Sequence, residues 1–115
     1  MLPLPNRIKT QGDFQPVLNS GLKDYQKSIT VFINHTSNPS RLGLITSRKT
    51  GNAVMRHLLA RRTREIFRKF LLTHPAGLDV VVKFSTKFKN PSFEQIENDF
   101  NLAIKKLLER KVVEN

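Results

Sequence analysis

The chain has 115 residues, enough for one domain around one core, and it carries 20 Lys or Arg against nine Asp or Glu, a formal net charge of +11. Without cysteine it can build no disulfide framework, thiol nucleophile or cysteine-type zinc site, and it shows no signal-peptide-like stretch and no apolar run long enough to cross a bilayer. A single basic, cytoplasmic domain over 1–115 is expected, with nucleic acid ahead of anionic membrane or an acidic protein as its partner.

Residues 1–9 read as an irregular arm, because Pro3 and Pro5 block regular structure. Thr10-Gln11-Gly12-Asp13 looks like a capping box for a short helix running to about Asn19 and ending at Gly21. Pro16 falls inside that helix if Thr10 is the cap, and in its first turn if Asp13 is. A late or bent start is therefore expected. Residues 28–34 alternate as a strand, with Ile29, Val31 and Ile33 on one face and Thr30 and Phe32 on the other. Residues 35–40 form a turn-rich connector, and 42–48 read as the second strand of a hairpin.

Residues 51–70 predict a helix with two distinct stripes. His57, Arg61, Arg64 and Arg68 follow i, i+4, i+7, i+11 and share one face, while Leu59, Ile66 and Phe70, with Thr63 between them, lie nearly opposite. Residues 41–70 hold nine Lys or Arg against one acid, Glu65, so +8 of the +11 resides there. Like charges at i, i+4 disfavour a helix by a few tenths of a kcal/mol per pair, roughly, which a polyanion would offset. The helix should stop before Pro75 and Gly77. Residues 78–84, dense in Val, predict a central strand.

Ser92 with Gln95 begins the last helix, whose apolar positions are Phe93, Ile96, Phe100, Ala103 and Leu107. Its early acids (Glu94, Glu97, Asp99) and late bases (Lys105, Lys106, Arg110, Lys111) suit the helix dipole, so this element is structural. The predicted order is α-β-β-α-β-α, an α+β sandwich of one sheet with packed helices.

No catalytic constellation appears. His35, His57 and His74 lie in different segments without metal-ligand spacing, and Glu94, Glu97 and Asp99 read as a solvated helical turn rather than a metal cluster. A binding site is easier to assemble: arginines neutralise phosphates, and exposed Phe14 and Phe32 could stack on unpaired bases along a groove. The same two rings could equally fill the space between helix and sheet.

The stretch 41–70 resembles the protein subunit of bacterial ribonuclease P. The likeness lies in Thr46-Ser47-Arg48-Lys49, then Gly51-Asn52-Ala53-Val54-Met55-Arg56, then Arg61, Arg64 and Phe67. Asn6-Arg7-Ile8-Lys9, Asp13-Phe14, Gly21 and Leu78-Asp79-Val80-Val81-Val82 follow in the expected order. Where the family motif has Asn, Arg and Lys, this chain has His57, Leu58 and Ala60. The resemblance implies a ribosomal protein S5 domain 2-like sandwich with a left-handed β-α-β crossover. It implies an RNA-binding basic motif of Arg48, Lys49, Asn52, Arg56, His57, Arg61, Arg62, Arg64 and Arg68, and a leader-binding cleft of Phe14, Leu18, Phe32 and Lys49. It further implies that a catalytic RNA subunit, with Mg²⁺ bound mainly by that RNA, removes the 5′ leader of precursor tRNA. No catalytic or metal-binding residue, membrane contact or stable protein partner is then expected in the protein. The competing expectation is a small ribosomal-type RNA-binding protein without a role in cleavage.

Overall fold

In the computed structural model, which describes residues 2–114 and the side chains of 2–110, alternating apolar residues build one four-stranded mixed sheet. The strands β1 (Lys23–Tyr25), β2 (Ile29–Pro39), β3 (Arg41–Ile45) and β4 (Ala76–Phe84) lie in the order β1-β2-β4-β3. Three helices, α1 (Gln11–Leu18), α2 (Ala53–Leu71) and α3 (Phe93–Glu114), complete the α+β fold. β2 is antiparallel to β1 and β4, while β3 is parallel to β4 and joined to it through α2. The Val-rich strand β4 is central, as its composition requires: Val80, Val81 and Val82 are all fully buried.

Strand alternation divides the interior into two clusters. Ile29, Val31, Ile33, Val80, Val82 and Phe84 face Leu59, Ile66, Phe67 and Phe70 of α2 and Ile96, Phe100, Ala103 and Leu107 of α3. Phe100 meets Phe67 and Phe70 edge-on, with centroids 6.5 and 5.5 Å away. On the opposite face Ile8, Val17 and Val81 form a smaller cluster, against which Phe14, Leu18, Phe32 and Ile45 pack half-buried. The arm and α1 thus cover one side of the sheet, and α2 and α3 the other.

Residues 42–48 are not the second strand of a hairpin. β4 inserts between β2 and β3, so Leu42 and Leu44 pair with Val80 and Val82 instead of with the 28–34 strand. Flanking β4 on both sides buries its valines completely, which a local hairpin would leave with an open edge. The strand also ends at Ile45, leaving Arg48 and Lys49 in the connection to α2. Residues 35–39 prolong β2 through an irregularity between His35 and Pro39 rather than forming a connector. β1 is an additional short edge strand, Lys23-Asp24-Tyr25 pairing with Phe32-Val31-Thr30.

Helix α1 starts early. The Thr10 hydroxyl accepts the Asp13 N–H at 3.2 Å, which places Pro16 in the helix interior instead of its first turn. Pro16 is exposed, and so is Gly12, whose carbonyl it cannot bond, so water can serve that carbonyl while fully buried Val17 anchors the helix. The arm is not wholly irregular either: residues Leu4–Asn6 make a 3₁₀ turn, and Arg7 bridges to Leu42 beside β3.

Asp99 is not part of a solvated turn. It is buried, and its carboxylate accepts the Ser28 N–H at 2.9 Å, the Ser28 hydroxyl and the Gln95 amide, tying α3 to the start of β2. Glu97 pairs with Lys69 of α2 at 3.2 Å. Ser92 caps α3 as expected, accepting the Gln95 N–H at 3.1 Å. Lys111, assigned to the basic end of α3, lies outside the described side chains.

Candidate nucleic-acid interface

The entry into α2 is built by the Gly51–Arg56 motif itself. Gly51 has φ +154°, and a Cβ there would come within 2.9 Å of Met55 Cγ, so the turn needs glycine. Asn52 is the N-cap: its side-chain oxygen accepts the Met55 N–H at 2.9 Å. Arg56 Nη1 donates back to the Gly51 carbonyl at 2.9 Å. Asn52 and Arg56, expected in the RNA-binding motif, are therefore first of all the residues that fix where α2 begins. Asn52→Ala should cost about 1 kcal/mol, read as a lower urea midpoint, whereas Asn52→Asp should keep most of it.

Along α2 the two stripes separate as predicted. Leu59, Thr63, Ile66, Phe67 and Phe70 are buried, and the Thr63 hydroxyl satisfies itself on the Leu59 carbonyl at 2.8 Å. His57, Arg61 and Arg64 lie together around a depression that also contains Val54, Leu58 and Glu65. Arg61 and Arg64 have no carboxylate or hydrogen-bond partner among the described residues, whereas Arg68 pairs with Glu65. Arg62 is turned elsewhere: its Nη1 donates to the Pro91 carbonyl at 2.7 Å, locking α2 to the segment before α3. Of the two positions where the family motif has a cation and this chain does not, Leu58 lines the depression and Ala60 is buried. Arg48 and Lys49 are exposed in the connection ahead of α2, where the Lys49 carbonyl draws in Lys89 Nζ at 2.9 Å.

The stripe does not end on α2. Arg64 shares a second hollow with Arg7, Ile8, Lys9 and Phe14. The arm is held there by the Ile8 N–H on the Leu42 carbonyl at 3.0 Å and by the Asn6 amide on the Ser40 carbonyl at 2.8 Å. Arg7 Nε is enclosed without a partner. Sequence reasoning missed Arg7 and Lys9 as interface residues. The available signal was that both cations flank Ile8, an apolar residue that anchors the arm in the core.

From Lys9 the surface continues into a cleft of about 460 Å³ between α1 and β3, lined by Phe14, Leu18, Gln11, Gln15, Ile45 and Thr46, among others. Phe14 can lie over the sheet only because residue 43 is glycine: a Cβ there would be 2.6 Å from the ring. Phe32 belongs to the same apolar cluster but opens onto an adjoining depression beside β1. Lys49 does not line either hollow. Phe14 and Phe32 are half-buried: both pack against the Ile8, Val17 and Val81 cluster, and each lines a hollow.

An ion pair braces this cleft. Arg41 on β3 reaches the carboxylate of buried Asp79 on β4 through Nε at 2.9 Å and Nη2 at 2.8 Å, and its Nη1 lies 3.4 Å from Asp13 on α1. The hydrogen bond to Asp79 chiefly raises the Arg41 pKa, against the lowering effect of burial. A cation with a raised folded-state pKa contributes stability below its unfolded pKa and loses it only as pH climbs through the higher value. Arg41 therefore stays charged at every pH in ordinary use.

The Ribonuclease P family profile matches residues 2–108. The ribonuclease P protein component of Pseudarthrobacter chlorophenolicus is 33% identical over 112 residues, covering 96% of this chain and 82% of that protein. That of Thermotoga petrophila is 35% identical over 103 residues, covering 89% and 86%. Among solved structures, the Staphylococcus aureus ribonuclease P protein superposes with a TM-score of 0.76 at 30% identity, covering 86% of this chain and 92% of that one. The Thermotoga maritima protein gives 0.74 at 28% identity, covering 88% and 96%. With its fold and nearly its whole length in agreement, the chain belongs to the ribonuclease P protein family.

Proposed function

We propose that this chain, a ribonuclease P protein component acting in 5′ maturation of tRNA, holds two RNAs at once. The catalytic RNA lies against the start and exposed stripe of α2, and the 5′ leader of precursor tRNA enters the cleft beside α1. The groups that cleave the phosphodiester bond belong to the RNA subunit, with Mg²⁺ bound mainly by RNA. Among the described residues no group of three or more His, Asp or Glu is placed to hold a metal ion, and no step is assigned to a protein-bound one. We place the protein in the cytoplasm, with RNA rather than another protein as its stable partner. No helix among the described residues is long and apolar enough to cross a membrane.

The observation that carries this reading is the position of Arg64. It borders both the α2 stripe and the hollow containing Arg7, Lys9 and Phe14, so cations run without interruption from helix to cleft. Such a path lowers the repulsion between two polyanions brought side by side, work otherwise left to Mg²⁺. The test is reconstitution with the cognate catalytic RNA and a precursor tRNA at low Mg²⁺. Leader cleavage and substrate affinity should both rise on adding the protein, and no rise in either would overturn the proposal. Arg61→Ala with Arg64→Ala should cut affinity for the catalytic RNA roughly 15- to 30-fold at 0.15 M salt. The slope of log K against log salt should flatten by about 1.4 to 1.8, since each phosphate contact contributes roughly 0.7 to 0.9.

A further inference from the structure

The face of the sheet that carries α1 has a second depression, of about 480 Å³, not explained by the cleft beside the helix. Its lining includes Lys23, Tyr25, Thr30, Phe32, Lys83 and Lys87. In register, Tyr25 lies opposite Thr30, Thr30 opposite Lys83, and Lys83 opposite Ile45. One row of side chains therefore crosses all four strands on this face, about 14 Å wide at 4.7–4.9 Å per strand. Ile45 lines the cleft beside α1, and Phe32 packs in the same cluster as Phe14 and Leu18. The two depressions share one floor.

Tyr25, on the edge strand β1, is 69% exposed, and Lys23 Nζ lies 5.6 Å from its centroid. Lys23, Lys83 and Lys87 are exposed and have no carboxylate partner among the described residues. The nearby acid, Asp24, pairs in register with core-facing Val31 and so points to the other side of the sheet, where it is held by Gln26 and by Arg110 at 3.9 Å. A largely exposed ring beside cations that meet no carboxylate matches the chemistry of an unpaired base with its flanking phosphates.

We propose that this row is a second station for single-stranded RNA, taking leader nucleotides farther from the cleavage point than those beside α1. One base stacks on Tyr25, and phosphates lie against Lys23, Lys83 and Lys87. The proposal rests on the leader-binding reading above and extends it.

The experiment measures binding of precursor tRNAs with progressively longer unstructured leaders to the reconstituted holoenzyme. Tyr25→Ala should weaken binding about fivefold or more once the leader outgrows the α1 cleft, and leave shorter leaders unaffected, while Tyr25→Phe should bind like the parent. Lys23→Ala with Lys87→Ala should flatten the salt dependence by about 1.4, for long leaders only. Equal losses at every leader length, or none at any length, would overturn the second station. Phe14→Leu, at a ring that lines the cleft beside α1 and not the second depression, keeps the two ideas apart. If it weakens no leader, leader binding in the cleft itself fails; if it weakens all of them while Tyr25→Ala weakens none, the cleft stands and its extension falls. Tyr25 is exposed enough for the alanine variant to fold, which circular dichroism verifies.

Discussion

Replacing Phe32 by alanine is expected to weaken the reconstituted holoenzyme's grip on precursor tRNA by about 1–3 kcal/mol, five- to 150-fold, while mature tRNA binds as before. The ring stands on the middle of the sheet, opposite Val81 in register, and borders the open depression while packing against the Phe14–Leu18 cluster. It is half-buried, so truncation also removes packing, and the loss of binding must be separated from a loss of folding. Phe32→Leu does so. It keeps most of the apolar volume and the thermal midpoint, but removes the flat surface on which a base stacks. Leu18 already forms an aliphatic part of the wall of the neighbouring cleft beside α1. If Phe32→Leu binds long-leader substrate as tightly as the parent, the ring's role is packing alone.

The second large effect is structural and reaches the same cleft indirectly. Asp79→Ala should destabilise the protein by about 3 kcal/mol, read as a lower urea midpoint, out of the 5–15 kcal/mol typical of a domain. The substitution leaves the Arg41 guanidinium, whose side chain is only 24% exposed, with no carboxylate closer than Asp13 at 3.4 Å. Most of the cost is an unpaired, partly buried charge, so Arg41→Met placed on top of Asp79→Ala should recover part of it. Because Arg41 also touches α1, the single variant should lose leader affinity beyond its loss of stability. The double variant should not regain that affinity, since the Arg41 guanidinium that reached Asp13 is gone.

Elements governed by local pattern were legible in the sequence. Ile29, Val31 and Ile33 announced a strand, Val80 to Val82 a central one, and the Leu59–Phe70 stripe a packed helix. Neighbours in space but not in sequence were not legible. Nothing between residues 34 and 42 signals that β4, whose residues lie 38 positions from their partners in β3, will separate two strands that read as a hairpin. Lys23-Asp24-Tyr25 has neither length nor apolar alternation, so β1 exists only because β2 offers it an edge. Pro16 argued for a later helix start because its cost is local, whereas the burial of Val17 that offsets it is tertiary. The site divides in the same way. The stripe His57, Arg61, Arg64 was readable from helical spacing. The diversion of Arg62 to the Pro91 carbonyl, and the recruitment of Arg7 and Lys9, depend on where other chain segments pass.

Several cations hold the fold together without meeting an acid. Arg56 bonds the Gly51 carbonyl, Arg62 that of Pro91, and Lys89 that of Lys49. A carbonyl orients a cation but does not neutralise it, so the polypeptide assembles its surface with almost the whole formal charge of +11 intact. The free protein is thus left self-repelling, an electrostatic debt that folding defers and RNA discharges. Folding and ribonucleoprotein assembly are in that sense one titration of charge: the native state should be least stable at low ionic strength without RNA, and most stable once the phosphates are in place.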